Sequence, residues 1–210
     1  NNLTKKFPNI VVKSTSVEQV FDDLKNGLLG DLLVIDAIAI PLATAALALC
    51  LRSTRMLLIP LPAVVLSITL TFSFLFPIAQ ATSVSSFAPE FVTGCLIALN
   101  IDYSLFLLSR FKERIAISKL AGLNLRDHAV QAKIVWDTTV LTSHNILVSG
   151  VTVAIALGML LIVPIATVAT IGGAYSLGAI CTIIIALTFQ PALLLVNFEF
   201  FCHDPLIAAL

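Results

Sequence analysis

Five apolar runs, at 32–51, 56–77, 91–108, 140–163 and 171–196, take up most of the chain. The hydrocarbon core of a bilayer is about 30 Å thick and an α-helix rises about 1.5 Å per residue, so roughly 20 apolar residues cross it. Inside lipid every backbone N–H and C=O must be bonded within the protein, which leaves helices and closed barrels as the spanning structures. The runs lack period-two alternation and are about twice as long as a barrel strand. The expected fold class is therefore an all-α membrane protein, a five-helix transmembrane bundle over residues 31–198. Composition agrees: 59% of the 210 residues are hydrophobic and 11% charged, against about 45–50% and 25% in soluble domains.

The formal net charge is zero, so no electrostatic case exists for nucleic acid as a partner. The placement of the charges is more informative. Arg52 and Arg55 lie in the first connection, and Arg110, Lys112, Arg114, Lys119, Arg126 and Lys133 in the third; segments 78–90 and 164–170 carry no Lys or Arg. The positive-inside rule puts the first and third connections in the cytoplasm of a multi-pass protein of the plasma (cytoplasmic) membrane. Residues 1–30 then lie outside, with a strand expected at 9–13 and a helix at 17–29 capped by Ser16. Thirty residues cannot bury a core, so this segment reads as the end of a larger extracytoplasmic porter domain. The opening NNLTKKFPNIVVKSTS has neither an initiator Met nor an apolar signal, and reads as an internal piece of a longer chain. Residues 109–137 alternate charged and apolar positions at helical spacing, which predicts cytoplasmic amphipathic helices with a break at Gly122 and Asn124. Residues 199–210 read as a tail.

No enzyme constellation is present: there is no GxSxG, Walker loop or HExxH, and His128, His144 and His203 are too dispersed to predict a metal site. The reading is of a non-enzyme with no catalytic residues, metal or cofactor. Cys50, Cys95 and Cys181 fall inside apolar runs without CxxC spacing and read as small buried hydrophobes.

Asp102 stands out against this background. It lies in an apolar run, about 9 Å from that run's cytoplasmic end, and the next basic residue is Arg110. A carboxylate at this depth costs about 2.5–3.5 kcal/mol on insertion scales and is a functional candidate by default. It must be protonated, hydrated in an internal cavity, or paired across helices. A carboxyl that can load and release a proton suits proton coupling; the alternative is an acid that only hydrogen-bonds a neighbour and locks the bundle. At 100° per residue Asp102 shares a face with Leu99 and Phe106, while Tyr103, Gly94 and Leu107 turn to another. Asn100 and Ser104 add polar atoms on the same helix. On the next run His144 and Ser149 are supporting candidates, alongside Thr139, Thr142, Ser143 and Thr152, small hydroxyl residues that allow close packing and hydrogen bonds between helices. Asp31 and Asp36, at the start of the first run, are expected to be structural.

The stretch IDYSLFLLSRFKE (101–113) resembles the signature that closes the fourth transmembrane helix in the MMPL group of the RND transporter superfamily. In the same order, RSTRMLLIPL (52–61), SSFAPEFVTGCLIALNIDYS (85–104), HNILVSGVTVAIALGMLLIVP (144–164) and LTFQPALLL (187–195) resemble the family's third to sixth helices. The resemblance implies a proton-driven exporter of lipids or other hydrophobic molecules, built from two six-helix repeats. It implies that this chain holds helices two to six of one repeat, a half-repeat lacking its first helix, and that Asp102 and Tyr103 form the proton relay. The implied partners are protons, a hydrophobic small molecule or lipid, membrane lipids and the second transmembrane repeat, which this chain does not contain. Related sterol-sensing domains share the five-helix unit, so a sterol- or lipid-binding module without active transport is the competing expectation.

Overall fold

The computed structural model describes residues 37–49, 55–81 and 88–202, together with positions 27, 30, 34 and 35. The chain divides into two units, Asn1–Ala37 and Ile38–Leu210. In the first unit the described positions are helical. The strand expected at 9–13, most of the helix expected at 17–29, Asp31, Asp36, Arg52 and the tail beyond Cys202 lie outside the described residues.

Among its described residues, the regular elements of the second unit are all helices. α1 (Ala37–Leu49) is a short apolar helix whose expected flanks, 32–36 and 50–51, are described only at positions 34 and 35. A 3₁₀ turn, Arg55–Leu58, leads into α2 (Pro60–Ala81); α3 (Ala88–Leu120), α4 (His128–Gly158) and α5 (Ala166–Val196) follow, then a one-turn α6 (Phe198–Cys202). The segments Met56–Gln80, Ala88–Leu120, His128–Ile162 and Ala166–Val196 are each long and apolar enough to cross a membrane. They coincide with the second to fifth expected spans, and the fold is an all-α membrane bundle. Pro60 opens α2 at the first helical position, where its missing N–H has no intrahelical acceptor to serve.

Residues 109–137 differ from separate amphipathic helices lying on the membrane surface. α3 runs unbroken to Leu120, α4 starts at His128, and the polar stretch is their two extended ends. The apolar stripe of each end finds a better partner than the bilayer surface. Phe111, Ile115 and Ser118 of α3 and Gln131, Ile134 and Val135 of α4 are buried, and the apolar ones join a core with Met56, Ile59, Leu194, Phe198 and Phe201. Nor are 199–210 wholly a tail, since α6 continues to Cys202 and buries Phe201 in the same core.

The expected break falls where sequence placed it, and its chemistry is local. Gly122 has φ 69°, its N–H bonds the Lys119 carbonyl, and the Leu123 N–H bonds that of Ser118. This is a Schellman cap, which favours glycine because only glycine enters the left-handed region without strain. Asn124 Oδ1 then accepts from the Arg126 N–H, and Asp127 caps α4 by accepting from the Ala129 N–H at 3.0 Å.

α5 is the most enclosed span and α4 the least, with 50% and 17% of their membrane windows buried. Small residues allow α5 its central place: Gly172, Ala174, Gly178, Ala179, Cys181, Thr182 and Ala186 are all buried, so neighbouring helices approach closely with no large side chain at these positions.

Candidate functional site

The site is built around one turn of α3. Asn100, Tyr103 and Ser104 are buried, while Asp102 is exposed on the surface of the bundle. The divergence follows from the 100° step: Asp102 and Phe106 share the exposed face, and Tyr103 and Leu107 turn inward; Leu99, expected on the Asp102 face, is half-buried and packs against the Tyr103 cluster instead. Asp102 makes no ion pair among the described residues. Of the three options open to an acid at this depth, hydration and a partner across helices both lie on the side of α3 that the described residues leave uncovered.

Tyr103 points the other way, into a cluster with Ile146 of α4 and Ile183 and Ala186 of α5. Its hydroxyl comes near Ser149 but has no hydrogen bond of good geometry. Gly150 gives it room: a Cβ there would lie 2.7 Å from Tyr103 Oη, 2.5 Å from Ile183 Cγ1 and 2.6 Å from Ile183 Cδ1. Gly150→Ala is thus expected to push Tyr103 and Ile183 aside and to cost about 1–3 kcal/mol. Thermal unfolding in detergent, with tyrosine absorbance as a probe of the displaced ring, checks it.

Two hydrogen bonds between helices flank the acid. Ser67 Oγ of α2 donates to Asn100 Oδ1 at 3.2 Å, and the Asn100 amide donates to the Leu96 carbonyl at 2.8 Å. Gln190 Nε2 of α5 donates to Ser104 Oγ at 2.9 Å. Ser67 and Gln190 were not singled out by sequence reasoning, although a polar amide inside the run 171–196 was a usable signal.

Among the described residues the α4 hydroxyls singled out from the sequence bond within their own helix rather than between helices. Thr139, Thr142 and Thr152 donate to the carbonyls of Val135, Thr138 and Val148, four residues back, at 2.7–2.8 Å. Ser143 and Ser149 bond Val140 and Ile146, three residues back. A γ-hydroxyl in a helix reaches these carbonyls without a partner, and so is satisfied locally wherever the neighbouring helix offers no better acceptor. His144 and Ser149 are exposed on α4, and His144 makes no hydrogen bond or ion pair among the described residues.

The model of the MMPL family matches residues 5–201. A putative membrane protein of Streptomyces coelicolor, SCO6666, is 31% identical over 121 residues, covering 57% of this chain and 16% of that protein. The probable transport protein MmpL2 of Mycobacterium tuberculosis is 32% identical over 123 residues, covering 59% of this chain and 12% of that protein. The matched stretch is thus a small part of both relatives. With a family match running through the apolar spans and across the Asp102–Tyr103 turn, the chain belongs to the MMPL family.

Proposed function

We propose that this chain is part of a transporter that uses the proton-motive force to export lipids or other hydrophobic molecules, with Asp102 as the proton carrier and Tyr103 beside it. One observation carries the reading: a carboxyl at membrane depth, unpaired among the described residues, sits on an uncovered helix face. Exposure of such a group to hydrocarbon is costly, so the uncovered face is the surface that a second transmembrane repeat closes, leaving the acid in a hydrated seam. The printed name of the mycobacterial relative, a probable transport protein, supports a transport role. The basic ends of α3 and α4 then lie in the cytoplasm and residues 1–30 outside.

The test is export by the full-length protein in proteoliposomes with an imposed pH gradient and a fluorescently labelled phospholipid as probe. Movement of the probe should stop when a protonophore collapses the gradient and resume when the gradient is restored. Export indifferent to the protonophore would remove the proton as driver.

A second reading, lipid binding without transport, is supported by a groove of about 340 Å³. Ile40, Leu47, Leu61, Val65, Ile97 and Ile101 are among its lining residues, and its apolar wall suits an acyl chain or sterol ring. Under that reading the phospholipid binds equally with and without the gradient and does not move.

A further inference from the structure

We propose that Gln190 is a positioning residue for Asp102, acting through Ser104 to hold α3 at the rotation that places the acid on the open face. The inference rests on Asp102 being the proton carrier, and it names a residue that does not itself exchange protons.

Gln190 and Ser104 are fully buried and join α5 to α3 across 86 residues of sequence. Ser104 follows Asp102 by two residues, so the two side chains project about 200° apart around α3. Tying Ser104 to α5 therefore drives Asp102 away from α5. The bond between Ser67 and Asn100 does the same from α2, two residues before the acid. Asp102 and Tyr103 thus sit between two side-chain straps, one to each neighbouring helix. A helix packed through apolar contacts alone can slip in rotation at little cost, whereas a hydrogen bond in lipid is lost outright when the partners turn apart, since no water replaces it.

The setting of Gln190 fits this role better than that of a packing residue. A leucine at this position would fill similar volume without placing an amide in hydrocarbon, where a polar group needs a partner. One amide atom, Oε1, is buried with no partner among the described residues, so the polar side chain is retained at a cost in desolvation. Pro191 follows at once inside α5. It has no N–H to give to the Leu187 carbonyl, so α5 is least braced by its own backbone at the level where Gln190 holds it to α3.

The experiment uses the full-length protein in lipid vesicles and the infrared carboxyl band that titrates in wild type and disappears in Asp102→Asn. Gln190→Leu and Ser104→Ala are each expected to shift the midpoint of that band by about half a pH unit or more, in the same direction. The double variant should shift it no further than either single, because both remove one strap. Midpoints equal to wild type in the single variants, or shifts that add in the double, would overturn the inference. Ser104→Ala, the smaller change, carries the test if Gln190→Leu does not fold. If no titrating band disappears in Asp102→Asn, the carrier reading itself fails; if the band is present and the straps do not move it, this inference alone fails.

Discussion

Asp102→Asn in the full-length protein is expected to abolish uphill export while leaving the helical bundle intact. At about 100 mV one proton moving inward supplies about 2.3 kcal/mol, a concentrating power of roughly fifty-fold, and an asparagine at the carrier position transmits none of it. The fold should tolerate the change. Asp102 is exposed and in no ion pair among the described residues, and substitutions away from cores, caps and networks usually stay within about 0.5 kcal/mol. The measurement is the accumulation ratio of the phospholipid probe across the vesicle wall, beside circular dichroism and thermal unfolding of the same preparation. A wild-type ratio in the variant would rule Asp102 out as the carrier. Loss of transport together with loss of helicity would place the acid among structural residues.

The largest stability effect is expected at Gly172, near the start of α5. A Cβ there would collide with the Leu160 Cβ and come within 2.8 Å of the Leu157 carbonyl oxygen. Neither atom is the free end of a side chain, so relief requires the backbone of α5 to move away from the α4 end and the 3₁₀ turn Met159–Ile162 that follows it. Overpacking of this kind costs about 1–3 kcal/mol, and Gly172→Ala should fall at the upper end, lowering Tm by several degrees in detergent. Gly173→Ala is the internal control. Its added Cβ would lie 3.0 Å from Leu161 Cδ2, a methyl that can swing aside, so the expected loss is smaller. Equal melting of the two variants would show that α5 has slack at this level and that the close approach is not needed.

Much of the architecture could be read from the chain without coordinates. Run length identified four spans that the structure shows as long apolar helices. The pair Gly122 and Asn124 marked the turn between α3 and α4, because a left-handed cap and a local side-chain turn are decided within a few residues. That Asp102 and Tyr103 face apart around α3 follows from helical periodicity alone. Continuity was harder to read. The mixed charge of 109–137 suggested surface helices, yet no breaker separates it from the apolar runs, and its apolar stripe is buried by Phe198 and Phe201 from the far end of the chain. The α4 hydroxyls are a similar case: their partners are a turn away in their own helix, and sequence alone does not say which hydroxyls meet a neighbour.

The sequence by itself determined that this chain crosses a membrane as helices, where those helices turn, and that an acid lies within one of them. These are consequences of backbone bonding in lipid and of local chain geometry, both written in runs of adjacent residues. The tertiary structure alone decided which face of α3 stays open, which hydroxyls bond across helices and which amide, Gln190, reaches the turn that bears the acid. Those outcomes depend on residues 33 and 86 positions apart being brought within hydrogen-bond reach. Such pairings are set by how closely small residues let the helices pack, and no period within one helix encodes them.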